Sequence, residues 1–159
     1  MSRIRLYIDG ASLEVDPGTT ILSAARSQGV EIPTLCHDDR LDPYGGCRLC
    51  LVDVDGAPRP VPACKTMCAE GMEIQTQNTD LHRVRRTMLD MLLAEHHDDV
   101  GVKSNHLLEL AEQHDLQAPS IRLGRRAAYD DRNRWIGFNP GACILCDRCV
   151  RYCDEVMQC

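Results

Sequence analysis

The chain has 159 residues, room for one ordinary domain or two small ones, and its formal net charge of −6 argues against a nucleic-acid surface. Arg83, Arg85, Arg86, Arg122, Arg125 and Arg126 are the exception, enough for a local basic face. One Trp, one Phe and four Tyr leave a core short of large anchors, so metal ligation is expected to supply folding free energy.

Met1 to Gly10 alternates polar and apolar residues and shows neither a signal peptide nor a membrane span. Ten cysteines without a secretory signal read as metal ligands in a reducing compartment, the cytoplasm. Ile4, Leu6 and Ile8 predict a half-buried strand, Asp9-Gly10 a hairpin turn, and Leu13-Glu14-Val15 the returning strand. After Pro17-Gly18, Thr19 or Thr20 can cap a short helix through Ser27 that carries Ile21, Leu22, Ala24 and Ala25 and ends at Gly29.

Cys36, Cys47, Cys50 and Cys64 follow at the spacing C-x10-C-x2-C-x13-C. The first three share a loop with Pro43 and Gly45-Gly46, glycines that let backbone N–H groups approach sulfur. Leu51 to Val54 reads as a strand, Asp55-Gly56 as its turn, and Pro62-Ala63-Cys64 as the start of another strand. Four thiolates, one distant from a C-x2-C pair, suit a [2Fe–2S] cluster. The C-x2-C pair alone would fit zinc or a redox dithiol as well.

Hairpin, helix and further strands resemble a ubiquitin-like β-grasp, the layout of plant-type ferredoxins. Residues 3–76 resemble the N-terminal [2Fe–2S] domain shared by three families. These are the large iron–sulfur subunit of NADH:quinone oxidoreductase, the diaphorase part of NAD-reducing hydrogenases and the α subunit of NAD-linked formate dehydrogenases. The match lies in Ile32-Pro33-Thr34-Leu35-Cys36, Tyr44-Gly45-Gly46-Cys47-Arg48-Leu49-Cys50 and Pro62-Ala63-Cys64, and it places the family's four ligands on Cys36, Cys47, Cys50 and Cys64.

Asp80 is expected to cap the longest helix, with Leu81, Val84, Met88, Met91 and Leu92 as core through Glu95 and the arginines on the other face. In the resembled families a second cluster site, H-x3-C-x2-C-x5-C, follows. Counting from His96 gives Val100, Lys103 and Glu109 where cysteines should stand, so that cluster is expected to be absent. His96, His97, Asp98, Asp99, His106 and His114 fix no metal geometry by their spacing and read as an exposed helix end and linker. His37 reads as a loop residue. Leu107, Leu108, Leu110 and Ala111 predict a second short helix, capped by Ser104 or Asn105. Gln117 to Arg134 reads as a polar linker, and Trp135-Ile136-Gly137-Phe138 as a short apolar strand.

Cys143, Cys146, Cys149 and Cys153 close the chain at C-x2-C-x2-C-x3-C, the bacterial ferredoxin run for a [4Fe–4S] cluster. Zinc more often takes separated C-x2-C pairs. In such runs the first three cysteines serve one cluster and the fourth, here Cys153, ligates a second. A second run is missing, and the chain is expected to be a fragment. Cys68 and Cys159 have no assigned role; Cys68 reads as a half-buried non-ligand.

The sequence thus predicts an α+β chain: a [2Fe–2S] ferredoxin domain over 1–78, a helical region over 79–134, and the start of a [4Fe–4S] ferredoxin-type domain over 135–159. No nucleophile, acid–base pair or phosphate loop is visible, so the expected role is an electron-transfer module rather than an enzyme. By the resemblance, its partners are a flavin/NAD-binding diaphorase subunit and a catalytic subunit or domain beyond residue 159. The formate dehydrogenase α subunit is the favoured parent, because Cys149-Val150-Arg151-Tyr152-Cys153-Asp154-Glu155-Val156 is closest to its pattern; the hydrogenase diaphorase and the quinone oxidoreductase subunit are alternatives. A cysteine-rich zinc-binding interaction module is the alternative of another class. A cubane with one iron lacking a protein thiolate sheds that iron readily. Air-exposed protein is therefore expected to keep [2Fe–2S] absorbance while the [4Fe–4S] cluster is labile or absent; a diamagnetic four-iron cluster lasting hours in air would contradict this.

Overall fold

The computed structural model describes residues 3–97, 105–124 and 129–159. Asp98, Asp99, Val100, Lys103, Ser104, Arg125 and Arg126, each part of an expectation above, lie outside the described residues. The chain divides into two compact units, Met1–Arg85 with Asp147–Cys159, and Arg86–Cys146.

The first unit is built on β1 (Ile4–Ile8) and β2 (Ala11–Val15), paired antiparallel from Ile4↔Val15 to Ile8↔Ala11. Asp9 and Gly10 both take positive φ, 50° and 83°, as a tight two-residue hairpin turn requires. Alternation then turns Leu6, Ile8, Leu13 and Val15 inward. They meet α1 (Ile21–Ser27), whose Ile21, Leu22, Ala24 and Ala25 are buried. Thr20 is the N-cap, its hydroxyl accepting the Ser23 N–H at 3.2 Å.

β3 (Leu51–Val54), the two-residue β4 (Val61–Pro62) and β5 (Glu73–Gln75) complete a five-stranded mixed sheet in the order β2-β1-β5-β3-β4. The central pair β1–β5 is parallel, and the other pairs are antiparallel. The unit is α+β and consistent with a 2Fe–2S ferredoxin-like domain. Val52, Ala63, Cys50, Cys64 and Cys68 join the same core, so two cysteines of the loop-and-strand set are core residues as well. Cys68 is buried rather than half-buried, and its N–H donates to Thr19 O at 2.8 Å.

The long helix, α2 (Thr79–Glu95), departs from expectation at its start and on its buried side. Asn78, not Asp80, closes the N-terminus: its Oδ1 accepts the Leu81 N–H at 2.8 Å, while Asp80 lies in the first turn beside Arg83. The buried stripe is Leu81, Arg85, Leu89 and Leu93, four residues apart throughout, and Met91 is 62% exposed. The exposed-arginine expectation therefore fails at Arg85. Its guanidinium donates from Nε to Leu49 O at 3.1 Å and from Nη2 to Leu51 O and Thr76 O, each at 2.8 Å. Three backbone carbonyls hold the charge in place.

In the second unit α3 (His106–Gln113) buries Leu107, Leu110 and Ala111, with Asn105 as N-cap to the Leu108 N–H. His96 is buried, contrary to the exposed helix end expected, and Asn105 Nδ2 donates to its Nε2 at 2.8 Å. Trp135-Ile136-Gly137-Phe138 forms no strand: Trp135 is 79% exposed, and Phe138 makes one isolated bridge with Asp130. An apolar run without a flanking strand has nothing to pair with. Among the described residues, no helix is long and apolar enough to cross a membrane.

Arg85→Met removes the guanidinium donor from three carbonyls, at about 1–3 kcal/mol for each acceptor left unsatisfied. Arg86→Met, on the exposed neighbouring residue, is expected to stay within about 0.5 kcal/mol of the parent. Urea midpoints of the two variants at equal cluster content check this; equal midpoints would contradict the buried role of Arg85.

Candidate metal centre

No regular secondary structure spans Glu31 to Cys50, yet Ile32, Leu35, Cys36, Leu41, Leu49 and Cys50 are buried within it. Two backbone positions make its bends. Gly45 has φ +73°, and a Cβ added there would lie 4.0 Å from Cys64 Sγ. Arg48, between Cys47 and Cys50, takes φ 58°, an unusual conformation for a side-chain-bearing residue. With Arg48 left-handed, the C-x2-C segment turns sharply between its two cysteines.

Cys36, Cys50 and Cys64 are each 1% exposed and Cys47 is half-buried; all four thiols are free. They gather as two pairs. Cys50 Sγ and Cys64 Sγ are 3.4 Å apart, and the thiols of Cys36 and Cys47 hydrogen-bond one another. The Cys47 N–H also donates to Cys36 Sγ at 3.4 Å. Backbone N–H groups of Gly46 serve Cys36, those of Leu49 and Leu35 serve Cys47, and that of Gly45 serves Cys64.

Each pair divides its protons unequally. The hydrogen bond from Cys36 lowers the Cys47 thiol to about 6, against burial, with Leu49 N–H assisting. The partner bond and then burial push Cys36 up. Cys64 is likewise lowered by its bond with Cys50, and Cys50 is raised by that bond and by burial. In each pair, one sulfur ionises more readily than its partner. Soft thiolates under converging N–H groups fit an iron–sulfur cluster, and two pairs can serve two tetrahedral irons with two sulfurs each. Among the described residues no three His, Cys, Asp or Glu side chains are arranged about a single metal-ion position. His37, beside Cys36, bonds Asp39 Oδ1 through Nε2 at 2.9 Å.

The later cysteines belong to different units. Cys143 and Cys146 are half-buried in a loop of the second unit. There Asn139 Oδ1 accepts the Gly141 N–H at 3.0 Å, and Gly141 O accepts the His97 N–H at 2.7 Å. A Cβ on Gly141 would meet His97 O at 2.6 Å, so glycine is required. In the first unit Cys149 is exposed on α4 (Arg148–Arg151), and Cys153 is exposed on the π-helical turn Tyr152–Met157. The Cys159 N–H donates to Cys153 O at 3.0 Å, and the Cys159 charge raises the Cys153 thiol.

Residues 1–79 match the family of 2Fe-2S iron-sulfur cluster binding domains. They are a 2Fe–2S domain of that family. Over nearly its whole length the chain is homologous to larger oxidoreductase subunits. It is 38% identical over 161 residues to a subunit of the NADH-quinone oxidoreductase of Rhizobium meliloti, covering 97% of this chain and 19% of that one. It is 34% identical over 170 residues to the NADPH-Fe(3+) oxidoreductase subunit alpha of Geobacter sulfurreducens, covering 98% of this chain and 19% of the relative. The chain therefore spans about a fifth of the length of these curated relatives. In a crystal structure of an NAD+-reducing [NiFe]-hydrogenase, one chain superposes on 94% of this one with a TM-score of 0.81 and 34% identity, over 65% of its own length.

Two residues at the 2Fe–2S domain's sulfur loop escaped the sequence reading. Arg85 carried a usable signal, its i, i+4 register with Leu81 and Leu89; Arg48 carried none, since only the backbone reveals its left-handed turn. Iron or a cluster must displace the protons that Cys36 and Cys50 retain, so uptake by the metal-free chain is expected to strengthen as pH rises. The gain is about tenfold per pH unit for each proton released. A Co(II) titration followed by thiolate charge-transfer absorption between pH 6.5 and 8.5 checks the sign; a flat profile would refute it.

Proposed function

We propose that Cys36, Cys47, Cys50 and Cys64 hold the [2Fe–2S] cluster in a ubiquitin-like β-grasp over residues 1–78, and that the chain is an electron-transfer module of an NAD-linked oxidoreductase. The observation that carries this reading is the gathering of four buried or half-buried sulfurs in two pairs beneath backbone N–H donors. A single zinc ion would draw four sulfurs around one point. When bound, the cluster supplies a one-electron couple.

The chain's own residues then do three things. N–H groups of Gly45, Gly46, Cys47 and Leu49 lie where charge added to the sulfurs would accumulate, which favours the reduced state. Burial of Cys36, Cys50 and Cys64 keeps water from three of the four sulfurs. Cys47, the half-exposed one, is the natural side for electrons to enter or leave.

Cys143, Cys146 and Cys149 are proposed ligands of a [4Fe–4S] cluster within a ferredoxin-type segment over 135–159, following a helical region over 79–134. Cys153 is assigned to a second such cluster. The support is the ferredoxin spacing and the left-handed residues Leu145 and Asp147, φ 54° and 63°, which bend the run between its cysteines. A flavin/NAD-binding subunit as donor or acceptor, and a catalytic centre at the other end, are the proposed partners. The relatives include quinone oxidoreductase, NADPH–Fe(3+) oxidoreductase and hydrogenase and favour no single parent. The formate dehydrogenase reading rests on the Cys149–Val156 pattern alone.

Cys47→Ser replaces a thiolate with a poor iron ligand. The variant is expected to lose most of the reduced [2Fe–2S] EPR signal while leaving iron bound through the C-terminal run. A full signal would refute the ligand assignment, and a colourless anaerobic preparation holding zinc without iron would end the electron-transfer reading.

A further inference from the structure

The terminal segment of the first unit is fastened to the sulfur loop by one side chain. Arg151 Nη1 donates to Asp42 O at 2.6 Å, and Nη2 donates to Cys36 O at 3.2 Å, bridging residues 115 positions apart in sequence. The same guanidinium lies over the Tyr44 ring, 4.9 Å from its centroid, and the side chain is only 13% exposed. Two neighbours complete the contact. Glu155 Oε2 accepts the Asp42 N–H at 2.7 Å, and Arg40 lies over the Tyr152 ring at 4.8 Å. The loop from Cys36 to Tyr44 has no regular secondary structure of its own, so these bonds stand in for a sheet ladder.

Arg151 lies midway between Cys149 and Cys153, two residues from each. Its bond to Cys36 O thus joins the C-terminal cysteine run to the first [2Fe–2S] cysteine by a short path of covalent bonds and one hydrogen bond. It also places a positive charge, on a side chain only 13% exposed, beside the Cys36 backbone. Glu155 opposes that charge from 4.0 Å, but it bonds Asp42 rather than Cys36. At Cys36 O it is the guanidinium that makes the hydrogen bond. A positive charge in a poorly solvated site stabilises the more negative, reduced form of a neighbouring redox group.

We propose that Arg151 is a positioning residue of the 2Fe–2S domain: it pins the segment between Cys149 and Cys153 to the backbone of Cys36 and Asp42, and its charge raises the reduction potential of the cluster. The charge half rests on the [2Fe–2S] reading above; the pinning half does not.

The test uses the full chain, loaded anaerobically and also metal-free. EPR-monitored redox titration of Arg151→Gln is expected to give a lower [2Fe–2S] midpoint than the parent. Arg151→Lys, which keeps the charge but loses the planar fork, should recover most of the shift. Glu155→Gln should move the midpoint the other way, and it decides the charge question if Arg151→Gln does not fold. An unmoved midpoint in Arg151→Gln, equal shifts for Lys and Gln, or no rise in Glu155→Gln overturns the charge role. Hydrogen exchange on the metal-free chain reads the pinning: amides of 37–44 should exchange about tenfold faster in Arg151→Gln. Unchanged exchange there overturns the pinning. A parent chain that takes up no [2Fe–2S] centre overturns the cluster reading and the charge role together, while the exchange result still decides the pinning.

Discussion

The Arg85 guanidinium, bonded to the carbonyls of Leu49, Leu51 and Thr76, is the interaction on which the first unit depends. Leu49 ends the sulfur loop, Leu51 begins β3, and Thr76 follows β5 directly. A single planar group on α2 therefore sets the loop, the sheet and the helix against one another. Burying a guanidinium is costly, and the site tolerates it because its donors meet three backbone carbonyls. Burial lowers the Arg85 pKa, while the charges of Cys50, Asp53 and Asp9 work to keep it protonated. Arg85 and Cys50 are thus linked electrostatically, and a Cys50 thiolate would be favoured by the buried cation.

The sulfur site obeys the same logic. Four thiols in an apolar surrounding would resist ionisation, and backbone N–H groups from Gly45, Gly46, Cys47 and Leu49 offset that resistance. A loop without secondary structure has free N–H groups to give, whereas strands spend theirs on one another. Disorder would make those donors useless, so the loop is held at one end by Arg85 and near the other by Arg151. Donors already in place need not reorganise when charge arrives at the sulfurs.

The second unit solves a different problem. His96, which the resembled families use as a cluster ligand, is here buried and takes a hydrogen bond from Asn105, the residue that caps α3. Arg122 adds a bond to His96 O at 3.3 Å, and the His97 N–H reaches Gly141 O. Leu89, Leu93, Leu107 and Leu110 are buried in the same unit.

Much of this was legible in the residues themselves. The β1–β2 hairpin, the Thr20-capped α1 and the β3 strand follow from local rules: alternation, a left-handed Asp-Gly turn and a hydroxyl before an apolar helix. The cysteine spacings are local too, and they determined the ligand candidates before any fold was known. Elsewhere the decision lay with tertiary contacts. Asp80 and Asn78 are equally good caps in isolation, and Arg85 resembles its exposed neighbours until Leu49, Leu51 and Thr76 arrive from elsewhere in the chain. Trp135 to Phe138 has strand composition but no partner strand. The sequence by itself determined which atoms can bind metal, because soft sulfur at close spacing is chemistry carried by residue type. Only the tertiary structure decided which charges surround them, because Arg85 and Arg151 reach the loop across 36 and 115 positions, and folding alone brings such distant groups together.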